Sequence, residues 1–250
     1  MAATPAEYDD QLLQVHLAQA SATLPGPDYY TVLGWIHEIL HPANYVEIGI
    51  RHGDSLRLAG PTTRCIGIDP EPTIEAPLPP NVQVFRLTSN EFFETCKLAD
   101  LLGSNAFSLA FIDGLHLFEQ ALLDFVNLER NSAADSVIMI HDCLPLDKVT
   151  ADRVRSTHFY SGDVWKLAMC LRIKRPDLRL KTIRTGPSGL CLVSHLDSQS
   201  QVLSQSYHAC LAEYLPLDYN DYLSRPQDMP GTVANSFEGV RSCLAELRRA

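Results

Sequence analysis

Between Tyr45 and Asp142 five apolar runs of strand length alternate with helical or loop-rich stretches, and this alternation restricts the fold more than any other feature of the chain. The runs are "YVEIGI", "RCIGID", "VQVFRL", "FSLAFID" and "SVIMIHD". Strands joined through helices form βαβ units, whose right-handed crossovers build a parallel sheet. All the carboxyl ends then share one rim, and open α/β sheets bind their ligands there. The intervening segments predict a helix after Gly53, a proline-rich loop from Pro70 to Pro80, a helix opened by Thr88 or Ser89, and a helix from about Leu117 to Arg130.

The flanks carry other patterns. Residues 5–22 place Leu12, Leu13, Val15, Leu17 and Ala18 at helical spacing before "LPGPDYY" interrupts them. Asp28 is positioned to cap a second helix through Leu33, Ile36 and Leu40, stopped at Pro42. Beyond Asp142 come a polar loop, a helix near Val164 to Arg175, and the runs "LRLKTIR" and "GLCLVSHL". The Gly186-Pro187-Ser188-Gly189 turn between those runs predicts a closing hairpin. Residues 198–250 hold at least two helical stretches around "YLPLDYNDYLSRPQDMPG". The expected organisation is an N-terminal helical segment (1–42), one α/β domain (43–196) and a C-terminal helical extension (197–250).

Composition narrows the partners. With 250 residues, 46% of them hydrophobic, the chain can bury one sizeable core. Its formal net charge of -10 repels phosphate backbones and anionic lipid faces. The densest basic run, "RIKRPDLRLKTIR", is interrupted by hydrophobic residues at strand-like spacing. Nucleic acid and membrane are therefore set aside in favour of a small-molecule substrate. None of the seven cysteines forms a Cys-x-x-Cys pair, which suits reduced thiols in a cytoplasmic protein. The first residues lack a secretory pattern, and no apolar run approaches the roughly 18 residues of a membrane helix. Oligomeric state is left open, a homo-oligomer included.

Two groups of residues on the rim carry chemistry. The first is Glu47, Gly49 and Gly53 at the mouth of the first strand, with Asp69 at the mouth of the second. Glycines let a backbone approach a ligand closely, and a terminal carboxylate can accept both hydroxyls of a ribose. The spacing Glu-x-Gly-x-x-x-Gly departs from the Gly-x-Gly-x-x-Gly of dinucleotide sites. Glu47 instead suits a nucleoside with a positive end, an ammonium or a sulfonium.

On these residues the chain resembles the class I S-adenosylmethionine-dependent methyltransferases. "VEIGIRHG" corresponds to their glycine-rich first motif, "GIDPEP" to the ribose-binding acid, and "FIDGLH" with "IMIHD" to the later strand ends, over about Tyr45 to Val193. The resemblance implies a Rossmann-like, mostly parallel sheet of seven strands, the last antiparallel, flanked by helices. It makes 43–196 an S-adenosylmethionine-binding methyltransferase domain, with Gly49 and Gly53 against the methionine moiety, Asp69 on the ribose, and Glu47 and Asp113 among the cofactor contacts.

The second group is Asp113, His116, His141 and Asp142. Adjacent parallel strands lie about 5 Å apart, so side chains at the ends of the fourth and fifth can converge. Carboxylates with imidazole suit Mg²⁺ or Mn²⁺. The group looks similar to that of metal-dependent enzymes that O-methylate sugars and other small natural products. By that resemblance Asp113, His141 and Asp142 hold the metal, and His116, with Asp113 and Asp142, serves catalysis as the base that takes the hydroxyl proton. His141 stands where those enzymes often have a second carboxylate, and Cys143 where catechol-type relatives have an amide. Other readings stay open: the same fold without metal, performing N-methylation or an intramolecular cyclisation; a catalytically silent nucleoside-binding protein; and a nicotinamide dehydrogenase. Asp113 could also be a helix cap and His141 a buried structural histidine.

Overall fold

The structure, a computed structural model, describes residues 10–248. Eight strands form one sheet in the order β3-β2-β1-β4-β5-β7-β6-β8. They are β1 (Asn44–Ile48), β2 (Arg64–Ile68), β3 (Val82–Phe85), β4 (Phe107–Ile112), β5 (Ser132–His141), β6 (Arg179–Ile183), β7 (Leu190–Ser194) and β8 (Gly231–Val233). The first five pair in parallel, and β7 is antiparallel to both β5 and β6. This is the expected class, with one strand more than predicted. β8 pairs in parallel with β6 and comes from the extension read as helical. It consists of Gly231-Thr232-Val233, too short for any alternation to show in sequence.

Alternation within the strands fills both faces of the sheet. Val46, Ile66, Ala110 and Ile138 point one way and meet α5 (Phe118–Glu129) and α6 (Trp165–Lys174) through Phe125, Leu167 and their neighbours. Tyr45, Leu109, Phe111 and Val137 point the other way, onto α2 (Tyr29–Leu40) and α10 (Phe237–Leu247). Strands covered on both faces read as largely apolar runs, as in β1, β2, β4 and β5, whereas β3 at the sheet edge is only partly buried. α2 buries Val32, Leu33 and Ile36 completely, each such side chain stabilising by about 1.5–3 kcal/mol. Asp28 caps it as expected, accepting from the Thr31 backbone N–H and hydroxyl.

The helix expected after Gly53 is absent: only one 3-10 turn, Leu56–Leu58, lies between β1 and β2. Ten or so positions separate Gly53 from β2, and Gly60-Pro61 cuts that span in half, leaving no room for a longer helix. The first helical segment is α1 (Asp10–Thr23); its expected start at residues 5–9 lies outside the described residues. Thr88 caps α3 (Ser89–Thr95), with α4 (Leu98–Leu102) following. The extension contributes α7 (Val202–Gln205), α8 (Tyr207–Tyr214) and α9 (Tyr219–Ser224) before β8 and α10. Among the described residues no helix is long and apolar enough to cross a membrane.

Candidate active site

Strand register assembles the rim. β1 and β4 align Ile48 with Ile112, and β4 and β5 align Ile112 with Ile140. The residues that follow, Gly49, Asp113 and His141, therefore stand abreast at the carboxyl edge. Asp113 and His141 share a face, and His141 Nδ1 lies 3.1 Å from Asp113 Oδ1. Asp142 then leaves the sheet with φ of 60°, a left-handed backbone that costs a non-glycine residue on the order of 1–3 kcal/mol. That turn brings its carboxylate back: Oδ1 is 3.6 Å from His141 Nδ1, and Oδ2 is 3.0 Å from His116 Nδ1. All four predicted side chains meet.

The hydrogen-bond network assigns the tautomer of His116. Its Nδ1 is 3.0 Å from the Tyr160 carbonyl, which can only accept, so Nδ1 carries the hydrogen. Nε2 is left with its lone pair, 3.7 Å from Asp113 Oδ1. Tyr160 also lies parallel to the imidazole, ring centroids 5.7 Å apart. Gly162, at φ of 58°, permits this approach, because a Cβ there would overlap the His116 carbonyl. Gly49 is required in the same way: at φ of 85° its missing Cβ leaves space for the Asp113 carbonyl.

Burial and charge oppose each other in this cluster. Burial would lower the pKa of His141, but the carboxylates of Asp113 and Asp142 outweigh it and hold it up at about 9. Burial pushes Asp142 upward, against the pull of His116 and His141. The result is an imidazolium lodged between two carboxylates. Ser188 completes it, donating to Asp142 Oδ1 at 2.5 Å with its oxygen 3.4 Å from His141 Nε2. Asp142 Oδ2 is buried and accepts no hydrogen bond, since the nearby Nδ1–H of His116 is aimed at Tyr160.

These groups line a cavity of about 310 Å³. Gly49, Arg51 and Ser55 contribute from the first strand's loop, Tyr29 and Tyr30 from α2, and Phe159 and Tyr160 from the loop before α6. Tyr29 stacks on His141 with centroids 4.2 Å apart, fixing the plane of that imidazole. A larger hollow of about 690 Å³ lies between β6 and α10, at the opposite rim, and none of the predicted site residues reaches it. The titratable cluster faces the smaller cavity.

The glycine-loop residues are arranged differently from expectation. Glu47 is fully buried beneath the cavity floor; its carboxyl accepts from Tyr45 Oη at 2.8 Å and from the Ser55 hydroxyl. Any influence on a ligand therefore passes through Ser55, which does line the cavity. Burial raises the Glu47 pKa to about 8. Asp69 holds the loop itself, accepting from the backbone of Ile50 at 3.0 Å and Arg51 at 2.9 Å with one oxygen, and of Glu71 at 2.8 Å with the other. Gly53 has φ of 75° and packs against Leu78. Where a helix was expected to follow it, there is only the single turn at Leu56–Leu58.

Donor atoms of Asp113, His141 and Asp142 lie within 4.8 Å of one another, matching the predicted metal set. The residues fit a divalent cation. Two carboxylates supply hard oxygens, Oδ2 of Asp142 is buried without a partner, and the proton on His141 sits where a cation would displace it. Sequence reasoning missed Ser188, Tyr29 and Tyr160. Only Ser188 had a signal available: a turn opening the strand antiparallel to β5 must sit on the same rim.

Residues 46–143 match the family model of a methyltransferase domain. No curated protein sequence matches the chain. Among solved structures, the cofactor-bound Rv0187 from MTB superposes with a TM-score of 0.53 at 19% identity, covering 76% of this chain and 91% of that one. The O-methyltransferase TomG from Streptomyces achromogenes, involved in tomaymycin synthesis and solved with SAM, gives 0.50 at 18% identity, with 76% and 91% covered. At these identities the likeness is one of fold.

Proposed function

We infer that this chain is a class I S-adenosylmethionine-dependent methyltransferase that methylates a hydroxyl oxygen of a small molecule, a reading its matched domain and fold support. The observation that carries the oxygen assignment is the convergence of a free imidazole nitrogen, Nε2 of His116, with the carboxylates of Asp113 and Asp142 inside one cavity. S-adenosylmethionine supplies a methyl that is already electrophilic, so the protein's task is alignment and proton removal. Gly49, Gly53 and Asp69 are assigned to the cofactor side of the rim. His116 is the base: Tyr160 holds its Nδ1–H, and the lone pair on Nε2 faces a carboxylate 3.7 Å away, a repulsive pairing that a hydroxyl proton placed between them relieves. Tyr29, Phe159 and Tyr160 wall the chamber and favour a compact acceptor.

Asp113, His141 and Asp142 would hold Mg²⁺ or Mn²⁺, which would acidify a bound hydroxyl. One observation favours a second, metal-free reading: the His141 proton already neutralises one of the two carboxylates. Stripping the protein with chelator and assaying a panel of hydroxyl acceptors separates the two. Activity lost with chelator and restored by Mn²⁺ is expected; chelator-resistant turnover selects the metal-free form. His116→Ala should lower kcat on the order of 10²–10⁴-fold while calorimetry shows unchanged affinity for S-adenosylhomocysteine. Full turnover by that variant would remove His116 as base.

A further inference from the structure

The Gly186–Gly189 turn ties together pieces of the site that lie far apart in sequence. The Leu144 N–H donates to the Ser188 carbonyl at 2.7 Å, clasping the chain just past Asp142. On the other side, the Tyr29 N–H donates to the Gly186 carbonyl at 2.9 Å, and the Thr185 hydroxyl to Pro27 at 2.8 Å. One turn thus anchors both the strand exit that bears Asp142 and the start of the helix that bears Tyr29.

Ser188 lies at the centre of this clasp, 1% exposed. Its hydroxyl has a single hydrogen, and the 2.5 Å contact commits that hydrogen to Oδ1 of Asp142. Its oxygen can then accept only from the other side, where Nε2 of His141 is 3.4 Å away. Two consequences follow for the groups facing the cavity. Asp142 has Oδ1 occupied, so Oδ2, buried and without a hydrogen bond, is the oxygen left to bind a ligand. His141 points Nδ1 at Asp113, 3.1 Å away, and has the Ser188 oxygen 3.4 Å from Nε2, so the serine braces the far side of the ring.

We propose that Ser188 is a positioning residue of the reaction, fixing which oxygen of Asp142 is left to bind and bracing the His141 ring beside it. The proposal rests on the assignment of Asp113, His141 and Asp142 to the reacting site. A hydroxyl acting on a ligating carboxylate and imidazole together is the arrangement by which outer partners tune a metal site, and losing such a partner typically costs about 10–100-fold in affinity or activity.

The test compares Ser188→Ala with Ser188→Thr in the full chain. In the alanine variant kcat should fall at least about ten-fold and the Mn²⁺ affinity, read by electron paramagnetic resonance, should fall with it. The KM for S-adenosylmethionine and the calorimetric affinity for S-adenosylhomocysteine should stay within about two-fold, and the threonine variant should recover most of the loss. Equal losses in both variants, or cofactor binding lost in step with kcat, would make Ser188 merely structural and overturn the idea. A crystal structure of Ser188→Ala keeps the question open to decision even if no acceptor turns over and no Mn²⁺ binds, which would defeat the functional reading instead. Asp142 rotated about its side-chain torsions supports the proposal; Asp142 unmoved ends it.

Discussion

Glu47 is fully buried with its two oxygens held by Tyr45 and Ser55, so its ionisation works against the folded state. Its pKa rises from an ordinary 4.5 to about 8, burial being the main cause, and that of Asp124 rises from 3.8 to about 6 for the same reason. His141 is raised too, by its two carboxylate neighbours against the effect of burial. A raised pKa means that the folded chain binds the proton more tightly than the unfolded one. The stability linked to it is complete below the unfolded pKa and is lost as pH climbs through the folded one. All three shifts act in one direction, so these groups contribute stability that falls between about pH 4.5 and pH 9, while His37, lowered by burial to about 4, and Cys210, lowered to about 6, contribute the opposite slope. Glu47→Gln should flatten the part of that decline below about pH 8, as followed by calorimetric scans across pH; an unchanged slope would show that Glu47 is not the group responsible. Asp113, His116, His141 and Asp142 were legible in sequence because strand ends place them on the rim. Tyr160 was not, because it arrives on a loop whose landing place no local pattern records, and Ser188 could be placed only through the pairing of its turn's strand with β5.

At the scale of elements, the strongest dependence is of the rim on its neighbours. Asp28 caps α2, and α2 carries Tyr29 onto His141. Asp28→Ala should cost about 1 kcal/mol in urea denaturation and also lower kcat, since the stacked ring loses its anchor. Gly49→Ala should cost more, roughly 2–4 kcal/mol, because the new Cβ meets the Asp113 carbonyl and the backbone is left-handed. A small cost there, on the same denaturation curves, would mean that β1 and β4 can separate without harm. The helix predicted after Gly53 failed for a reason of length. Gly60-Pro61 leaves the segment room for one turn only. The strands held up better, since burial on both faces writes most of them as largely apolar runs.

Across the whole molecule, the segments that sequence divides at about residues 42 and 196 pack as one body. Trp35 of α2 and Phe237 of α10 meet edge to face, 5.8 Å between centroids, over the same face of the sheet. Val240, Cys243, Leu244 and Leu247 of α10 are buried there, and β8 extends the sheet beside β6. A chain ending after Leu196 should therefore be insoluble or lack a cooperative melt, whereas a separable extension would leave a folded core; circular dichroism during heating tells them apart. The amino-acid sequence alone determined the alternating sheet, its binding rim and the acids and imidazoles along it, because period and face are local properties of a chain and survive in its pattern. Only the tertiary structure decided that Glu47 lies beneath the cavity, that Asp69 grips the loop backbone, and that Ser188, Tyr29 and Tyr160 close around the cluster. Those placements depend on where remote loops come to rest, which is set by the combined packing of α2, β7 and α6 against the sheet rather than by any residue's neighbours in sequence.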